Sequence, residues 1–377
     1  MTRADGYPIA PGAAVVLSGD AYTRGLQQAE QCPSEAAAVR AAVAGRLAGQ
    51  EQVLASAKVA NFLAAQWDFA RDQDPAGIAE TRGIAAGFGI APETLFAYLH
   101  MNIVADLAQA PAPRARSGEG CTAWAAPGAG GGAWVVKNRD YRGEHGALQR
   151  VFRHEDPAWG SRVMLCVGSL GSPGAFSSGM NSDGLAVVDT QIGTSDHGVG
   201  WLRYYLMTDL LRRCATVAEA LERIARLPHA GGGTVVLGDA SGAIAAAELG
   251  HGSGALESGP DRWTARTNHY TDARLAATMV ERSNDDLARS SVGRRARVCE
   301  ALESRQGELQ RAEIQALMAS HDQHGRAGLC RHAEADGTRT LSSAIYHTRI
   351  GSLVISAGSP CTGPWRSYAL ADAFGHP

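Results

Sequence analysis

Lysine is nearly absent from this 377-residue sequence: among 35 basic residues, Lys58 and Lys137 are the lysines and all others are arginine. The simplest interpretation of this imbalance is a coding preference for arginine, alanine and glycine. Under such a preference, a lysine that persists indicates a position where a compact, titratable ammonium is needed and a guanidinium would not serve. Lys137 falls in a glycine-rich stretch around Cys121, so we treat it as a candidate site residue.

Long apolar runs, a basic surface and a cysteine framework are missing too. No run approaches the ~20 apolar residues that span a bilayer, and the first residues lack the charged and apolar regions of a secretory signal. We therefore expect a cytoplasmic protein with no membrane partner. The net charge of −3, without a basic stripe, argues against nucleic acid as a partner. The seven cysteines are scattered and odd in number, as in proteins whose thiols stay reduced.

The composition of the chain changes near residue 120. Residues 34–108 are rich in helix formers and predict one helix after another. Residues 109–120 are rich in Pro, Ala, Gly and Ser and predict an exposed, mobile linker. We therefore divide the chain into a mostly helical N-terminal region, 1–120, with one strand near Ala13–Ser18, and a larger region, 121–377.

The larger region predicts short strands in antiparallel runs, with pairs of helices inserted between them. This pattern indicates an α+β layered domain. The predicted strands are Cys121–Ala126, Ala133–Asn138, Gln149–Arg153, Arg162–Cys166, Gly174–Met180, Leu185–Asp189, Thr234–Asp239, Ala243–Leu249, Trp263–Thr267, Thr340–His347 and Ser352–Ala357. The predicted helices are Trp201–Arg213, Thr216–Arg226, Arg282–Ser304 and Arg311–Ser320.

The stretch Gly118–Tyr141, GEGCTAWAAPGAGGGAWVVKNRDY, places a Gly-Cys bond at the start of a predicted hairpin. A lone cysteine is more often a small buried hydrophobe than a nucleophile, but Cys121 follows Gly120, whose carbonyl carries no side-chain hindrance. A thiol next to a peptide carbonyl can attack it through a five-membered ring and give a thioester that water cleaves. Cys121 would then carry a free α-amine, which titrates near ~7.7–8.0 and can take the thiol proton at neutral pH.

Three charged residues follow Cys121 at the end of the second predicted hairpin strand. Asp140 could hold the new ammonium and orient the thiol; the alternative interpretation is a turn-forming aspartate at a strand end. Lys137 and Arg139 could bind an anionic substrate or assist self-cleavage; the alternative is a solvated strand end.

Other chemistries find little support in the sequence. Gly128–Gly132, GAGGG, lacks the lysine and the following helix of a phosphate loop, and the G-x-S-x-G motif of serine hydrolases is absent. His321, His324, Cys330 and His332 are metal-ligand types, but their spacing matches no structural zinc pattern. We therefore predict no metal and no resident cofactor.

The stretch around Cys121 resembles the nucleophile region of the N-terminal-nucleophile (Ntn) hydrolases. GCTAW followed by KNRDY is similar to the acyl-coenzyme A:isopenicillin N acyltransferase family and, more distantly, to the choloylglycine hydrolases. Further segments resemble the family in the same order along the chain. They are Arg82–Leu95 (RGIAAGFGIAPETL), Gly179–Gln191 (GMNSDGLAVVDTQ), Trp263–Tyr270 (WTARTNHY), Ser290–Arg297 (SSVGRRAR) and Cys330–Cys361, which ends in G-x-P-C.

The resemblance implies a fold and a set of residue roles. The implied fold is a four-layer αββα sandwich of two antiparallel sheets, formed jointly by the small and large chains of one cleaved precursor. The resemblance implies that the Gly120–Cys121 bond is cleaved and that Cys121 is the nucleophile. It implies that Asp140 contacts the new amine and that Asn268 donates to the oxyanion. It also implies that Arg294 supports the nucleophile, and Arg295 and Arg297 are the alternatives if the alignment shifts.

The sequence departs from the choloylglycine hydrolases at two of their site positions. Those enzymes have an arginine where this chain has Lys137. Their second oxyanion asparagine falls near Thr190 or Gln191, and neither is asparagine. We therefore keep Gln191, Thr190, Lys137, Arg139 and Asn138 as candidates for oxyanion or substrate contacts.

The resemblance implies a self-processing cysteine amidohydrolase or N-acyltransferase, of the kind used in secondary metabolism. It would form an acyl-Cys121 thioester from an amide or acyl thioester and pass the acyl group to water or an amine, with acyl-coenzyme A as a candidate co-substrate. The alternatives are a phospholipase B-like lipid amidase or esterase on the same fold, a non-catalytic member that is never cleaved, and an unprocessed cysteine hydrolase using His269 or His332. The sequence leaves open the acyl donor, the acceptor and whether copies associate as a homo-oligomer.

Overall fold

A computed structural model describes residues 9–108, 120–128, 130–259, 262–280, 287–305, 307–323, 325–332 and 337–370. Two β-sheets face each other and helices cover both outer surfaces, which gives a four-layer αββα sandwich. The predicted α+β class and the αββα layering are thus confirmed. Within the described residues, no helix has both the length and the apolar character that crossing a bilayer requires.

The elements follow one another in two blocks, helices first and mainly strands afterwards. The helices are α1 (Ala21–Gln31), α2 (Ala36–Leu47), α3 (Glu51–Leu54), α4 (Ala57–Gln73), α5 (Pro75–Phe88), α6 (Pro92–Leu99), α7 (Met101–Leu107), α8 (Arg203–Arg213), α9 (Val217–Arg226), α10 (Ala273–Ala276), α11 (Gly293–Glu303) and α12 (Arg311–Met318). The strands are β1 (Ile9–Pro11), β2 (Val15–Ser18), β3 (Gly120–Pro127), β4 (Ala133–Arg142), β5 (Gln149–Glu155), β6 (Val163–Ser169), β7 (Ser178–Asn181), β8 (Ala186–Thr190), β9 (Thr234–Gly238), β10 (Ile244–Leu249), β11 (Gly254–Ser258), β12 (Thr264–Arg266), β13 (Thr338–His347), β14 (Ser352–Ser356) and β15 (Trp365–Ala369).

The two sheets have seven and eight strands. The first has the order β1-β15-β14-β13-β4-β3-β12, and the second has the order β11-β10-β9-β8-β7-β6-β5-β2. Most neighbouring strands are antiparallel, as expected, but the edge strands β1 and β2 pair in parallel with β15 and β5. Because β1 and β2 both precede residue 120, the N-terminal region contributes a strand to each sheet as well as helices.

Three hydrophobic cores separate the layers, because alternate side chains along each strand point to opposite faces. Small side chains such as Ala123 and Val135 fill the space between the sheets. Larger ones such as Phe88 join α1, α2 and α4–α9 to the outer face of the eight-stranded sheet. On the other side, α11 and α12 pack against the seven-stranded sheet around Trp124 and Met318.

Helix α5 shows how local sequence builds the N-terminal layer. It begins with Pro75 at its first position and with the Asp74 carboxylate accepting a backbone N–H of the first turn at 3.1 Å. It ends before Gly89, whose left-handed φ of 66° suits glycine. At Gly83 the helix meets α1 backbone to backbone, since a Cβ there would lie 2.0 Å from the Tyr22 carbonyl oxygen.

Most predicted elements are present with small shifts of their ends. Helix α1 and the short strands β1, β11 and β15 were not predicted, and the strand expected from Gly174 begins only at Ser178. A π-helical turn, Leu287–Val292, leads into α11, and the start of that predicted helix, 282–286, lies outside the described residues. So does the predicted linker, apart from Gly120.

The hairpin of β3 and β4 is continuous and places the candidate nucleophile. Its register runs from Gly120 opposite Asp140 to Pro127 opposite Ala133. Gly130, Gly131 and Gly132 take positive φ values of 69°, 97° and 74° in the turn, a conformation open to glycine and costly for other residues. Gly130–Gly132 therefore belong to the hairpin turn, and the open end of the hairpin places Gly120 opposite Asp140.

Candidate active site

Cys121 is the second residue of β3 and is partly exposed at the open end of the hairpin. Strands β4 and β12 flank β3, so both can supply side chains to it. A pocket opens beside Cys121. It is lined by Asn102, Gly120, Cys121, Lys137, Arg139, Asp140, Tyr141, Phe176, Ser177, Asp189, Gln191, Arg203, Tyr204 and Asn268.

The side chains nearest to Cys121 hold its main chain. The Cys121 N–H donates to Asn268 Oδ1 at 2.8 Å, and Arg294 Nη2 donates to the same oxygen at 2.8 Å. Arg294 Nη1 donates to the Cys121 carbonyl oxygen at 2.6 Å. Asn268 Nδ2 donates to the Gln191 carbonyl oxygen at 2.7 Å, which leaves its second hydrogen for another acceptor. One asparagine and one arginine thus clamp both polar atoms of the Cys121 backbone.

Asn268 and Arg294 belong to two of the segments that resemble the family, Trp263–Tyr270 and Ser290–Arg297. Asn268 follows β12, and its own N–H donates to Ser291 Oγ at 2.8 Å, just before α11. Arg294 lies in the first turn of α11 and is 2% exposed. Of the three register alternatives, Arg294 is the one that contacts Cys121; Arg295 donates to a backbone carbonyl of β12, and Arg297 does not line the pocket.

Asp140 lies opposite Gly120 in the hairpin and is buried. Thr340 Oγ1 donates to Asp140 Oδ1 at 2.7 Å, whereas Oδ2 has no hydrogen-bond partner among the described residues. Burial raises the pKa of the Asp140 carboxyl, and the nearby Arg294 and Arg331 guanidinium groups oppose that rise. A Cβ placed on Gly120 would lie 3.1 Å from Oδ2, so the carboxylate closely approaches the Gly120–Cys121 bond.

Lys137 belongs to a buried ionic cluster on one side of the pocket. Its ammonium bonds to Asp189 Oδ1 and donates to the Ser177 carbonyl oxygen at 3.1 Å. Arg203 Nε donates to the other Asp189 oxygen at 2.6 Å, and Arg203 Nη2 donates to Gln191 Oε1 at 2.7 Å. Burial opposes ionisation of Asp189, but the Lys137 and Arg203 charges outweigh it and lower the pKa of this carboxyl.

The other substrate candidates divide into two groups. Arg139 lines the pocket; its guanidinium lies 5.5 Å from the Tyr141 ring centroid and donates to Ser169 Oγ at 2.9 Å. Asn138 faces the opposite layer, where its Nδ2 bonds to the carbonyl oxygens at the end of α12 and in the loop after it. Thr190 does not line the pocket either, because its hydroxyl donates to the Thr267 carbonyl oxygen at 2.6 Å. Asn138 and Thr190 therefore do not line the pocket beside Cys121.

The thiol of Cys121 needs a base at neutral pH. Burial raises its pKa; the Lys137 charge lowers it in part, while Asp189 and Asp140 push it further up. None of the described residues that line the pocket is a histidine. His269 instead bonds to Ser291 Oγ at 2.8 Å, and burial, with Arg295 and Arg294, lowers its pKa to about 4.

The sequence did not single out several residues of this site, and four of them carry its ionic contacts or stand beside Asp140. Asp189 and Arg203 form the ionic cluster, and Thr340 and Arg331 stand beside Asp140 and Gly120. Three of them lie in segments that resemble the family, so that resemblance was a signal for their neighbourhood. Arg203 lies at the start of α8, in a helical pattern that carries no chemical signal.

A family model described as acyl-coenzyme A:6-aminopenicillanic acid acyl-transferase matches residues 128–361, more than half of the chain. The chain belongs to this family. The match includes Asp140, Asn268 and Arg294 and begins after Cys121. Membership in the acyl-transferase family supports an Ntn acyltransferase or amide hydrolase and confirms the resemblance seen in the sequence.

Solved structures resemble this chain at low similarity. A mutant conjugated bile acid hydrolase from Clostridium perfringens is 11% identical, with a TM-score of 0.45 over 67% of this chain and 93% of that one. A penicillin V acylase from Agrobacterium tumefaciens is 14% identical, with a TM-score of 0.40 over 67% and 86% of the two chains. A search of the curated proteins finds no significant match. The family assignment therefore rests on the family model.

Proposed function

We propose that this acyl-transferase family member cleaves its own Gly120–Cys121 bond and then uses Cys121 as an N-terminal nucleophile. The observation that carries the proposal is the clamp on the Cys121 main chain: Asn268 accepts from its N–H and Arg294 donates to its carbonyl. That backbone nitrogen becomes the α-amine after cleavage. A thiol hydrolase that relied on a histidine base would have no need to hold the nucleophile's own nitrogen.

Self-cleavage would proceed by an acyl shift from nitrogen to sulfur. The Cys121 sulfur attacks the Gly120 carbonyl carbon, the Cys121 nitrogen leaves with a proton, and a thioester forms. Water then hydrolyses the thioester, which frees the Gly120 carboxylate and the Cys121 thiol. The buried Asp140 carboxyl beside Gly120 is suited to carry a proton between these groups, because burial raises its pKa.

Acyl transfer would use the same sulfur. The free α-amine takes the thiol proton, and the thiolate attacks the acyl carbonyl of an amide or a thioester. The second hydrogen of Asn268 Nδ2 is available to the developing oxyanion, and Asp140 holds the ammonium. The amine or thiol of the donor leaves with a proton, and water or an amine then attacks the acyl-Cys121 thioester.

The pocket favours an acyl group with apolar surface. Tyr141, Phe176 and Tyr204 line it, and the rings of Phe176 and Tyr204 lie 4.2 Å apart. The guanidinium of Arg139 can pair with an anionic part of the same compound. We therefore propose a small-molecule acyl amide or acyl thioester as donor, with acyl-coenzyme A as a co-substrate and no resident cofactor.

The denatured mass spectrum of the purified protein tests self-cleavage. We expect two species, one ending at Gly120 and one beginning at Cys121. Cys121→Ala should remain a single chain and lose acyl transfer, whereas Cys121→Ser should still cleave, because a hydroxyl can make the same acyl shift. Cys299→Ser is the matched control, since Cys299 is also partly exposed and lies away from the pocket.

Two outcomes would contradict the proposal. Cleavage or turnover in Cys121→Ala would remove Cys121 from the mechanism. A wild-type chain that stays intact and transfers no acyl group from amides or thioesters would favour a non-catalytic member of the family. Once cleavage is established, a screen of apolar, fatty and anionic acyl amides, with water or amines as acceptors, separates hydrolysis from transfer and tests the lipid amidase alternative.

A further inference from the structure

Two histidines and two cysteines, none of which lines the pocket, form a cluster beside the seven-stranded sheet. His321 follows α12, Cys330 and His332 lie at the end of the same loop, and Cys361 follows β14. Each residue offers one ligand atom, and all four atoms lie within 4.8 Å of one another. Cys361 thus takes the fourth position of a candidate set in which the sequence had placed His324, a residue that lies outside the described residues.

Three of the six distances between these four atoms are close to those of a tetrahedral metal centre. Zinc binds sulfur at ~2.3 Å and imidazole nitrogen at ~2.0–2.1 Å, so ligands at tetrahedral angles are separated by about 3.8 Å for two sulfurs, 3.6 Å for sulfur and nitrogen, and 3.3 Å for two nitrogens. The corresponding distances are 3.5 Å for the Cys330 and Cys361 sulfurs, 3.4 Å for Cys361 Sγ and His332 Nε2, and 3.0 Å for the two Nε2 atoms. All three distances are slightly shorter than the tetrahedral values. They rank in the same order, with the sulfur–sulfur distance longest and the nitrogen–nitrogen distance shortest.

We propose that His321, Cys330, His332 and Cys361 form a structural zinc site. Two thiolates and two neutral imidazoles complete a closed four-coordinate shell, which is typical of structural rather than catalytic zinc. Binding replaces the two thiol protons with Zn²⁺, so two protons are released per ion. A disulfide between Cys330 and Cys361 is the competing chemistry for these thiols, and it would leave the histidines without a role.

Backbone hydrogen bonds hold the segments that carry the ligands. The Leu329 and Cys330 N–H groups both donate to the Ser320 carbonyl oxygen at 2.9 Å, which closes the loop that carries three ligands. Arg331 exchanges two bonds with Thr340 of β13, at 2.8 and 2.9 Å. Because the ligands sit on backbone that is already held, an ion would lose little affinity to reorganisation.

The zinc site has a consequence for the nucleophile through Arg331, which lies between two of the ligands. A Cβ placed on Gly120 would lie 3.0 Å from Arg331 Nη1, so this guanidinium lies against the Gly120–Cys121 bond. The ion would therefore fix the loop that presents Arg331 to Gly120 and Asp140. This step rests on the proposed self-cleavage; the zinc site itself does not.

Metal analysis of the tag-free wild-type protein tests the site directly. We expect one zinc per chain by plasma mass spectrometry, and uptake of one Zn²⁺ after removal of the metal with a chelator. Co²⁺ in place of Zn²⁺ should give the visible absorption of tetrahedral cobalt and a thiolate-to-metal charge-transfer band. No stoichiometric zinc and no uptake would overturn the proposal, and so would an intact mass two hydrogens lower with both thiols unreactive.

Variants separate the zinc site from self-cleavage. Cys361→Ser and His332→Gln should each lose most of the bound zinc, whereas Cys299→Ser should keep it. The fraction of uncleaved chain should rise in the two ligand variants and not in Cys299→Ser. Full zinc in a wild-type chain that never cleaves would refute self-cleavage alone. A wild-type protein that cleaves completely and binds no zinc would refute the metal site alone. Complete cleavage in the two zinc-free ligand variants would refute the link between the metal site and self-cleavage.

Discussion

Asn268 joins three groups with one side-chain amide. Its oxygen accepts from the Cys121 N–H and from Arg294, and its nitrogen donates to the Gln191 carbonyl oxygen. These bonds fix the plane of the amide, so its free hydrogen has a defined direction. An oxyanion donor works best when it is held in place before the charge develops, because no reorganisation is then needed during the reaction.

We predict that Asn268→Ala lowers kcat for acyl transfer by ~10²–10³, the usual loss for one oxyanion donor. The measurement is steady-state kinetics with the best acyl donor, on protein shown to be cleaved and folded. Asn181→Ala is the matched control: Asn181 is equally buried, and its amide bonds to backbone atoms of Leu185, Leu211 and Cys214, away from the pocket. The control should lose stability and keep kcat, and equal kcat in a folded Asn268→Ala protein would refute the oxyanion role.

Lys137 shows why a lysine persists in a sequence dominated by arginine. Its single ammonium fits between the Asp189 carboxylate and the Ser177 carbonyl oxygen, and Arg203 already occupies the other side of that carboxylate. A second guanidinium would bring five donors in a rigid plane into a space that offers few acceptors. The interpretation of Lys137 as a required ammonium thus has a physical basis in the cluster.

At the scale of elements, the Lys137–Asp189 pair joins β4 of one sheet to β8 of the other. Arg203 connects helix α8 to the same Asp189 carboxylate. Both side chains of the pair are buried. Removing Asp189 leaves the Lys137 and Arg203 charges without their carboxylate, whereas removing Lys137 leaves Asp189 paired with Arg203. We predict that Asp189→Leu lowers the free energy of unfolding by about 3–5 kcal/mol, as for a broken buried pair, and that Lys137→Met lowers it by about 1–3 kcal/mol. The double variant should lose about 1–3 kcal/mol less than the sum of the two.

The exposed pair of Arg71 and Asp68, 2.9 Å apart within α4, is the control cycle. Solvent screens its attraction, so its coupling should stay below about 1 kcal/mol. Urea unfolding of the four proteins in each cycle supplies the values. If the losses at Lys137 and Asp189 are simply additive, the two charges do not stabilise the packing of β4 against β8.

The elements that could be predicted are those whose signals are local. The β3–β4 hairpin combines two apolar strands with a glycine turn, and it was placed correctly. Strands β1, β11 and β15 have three to five residues and lie at or near sheet edges, where pairing with distant segments creates them. Nothing within so short a stretch distinguishes such a strand from a loop. The four layers were inferred from the family resemblance, since periodicity alone does not stack two sheets.

The same distinction applies to the site. Cys121, Asp140, Asn268 and Arg294 gather as the resemblance implied, although they come from separate elements. Asn138 could have been set aside from the sequence: side chains alternate along a strand, so it faces away from its neighbours Lys137 and Arg139. Cys361, a ligand of the proposed zinc site, could not be paired with His332 by spacing, because β13 and β14 lie between them.

At the scale of the whole molecule, the N-terminal region, residues before 120, shares both sheets and a hydrophobic core with the rest of the chain. Strands β1 and β2 extend both sheets, and α1, α2 and α4–α7 share a core with the eight-stranded sheet. Cleavage at Gly120 would thus yield two chains that cannot fold apart. Stability is best measured on the Cys121→Ala protein, in which unfolding involves a single chain under the proposed mechanism.

Two fully buried histidines make the folded protein sensitive to acid. Burial lowers the pKa of His100 and of His154 to about 4. Above pH 6.5 both are neutral in the folded and unfolded states and do not affect the balance. As the pH falls from 6.5 towards 4, these two histidines become protonated in the unfolded chain but stay neutral in the folded protein. The free energy of unfolding therefore falls across that pH range.

We predict that each of these histidines removes about 1 kcal/mol of stability per pH unit between pH 6.5 and 4. Urea midpoints of Cys121→Ala at pH 7, 5.5 and 4.5 measure the fall. Adding His100→Gln and His154→Gln should make the fall shallower, because glutamine takes up no proton in either state, even if the midpoint at pH 7 drops through poorer packing. Part of the fall should remain, because the pKa values of His145 and His269 are also lowered, to about 3 and about 4. His251→Gln, at an exposed histidine, should leave the fall unchanged. An equally steep fall in the double glutamine variant would mean that His100 and His154 do not set the acid limit of this fold.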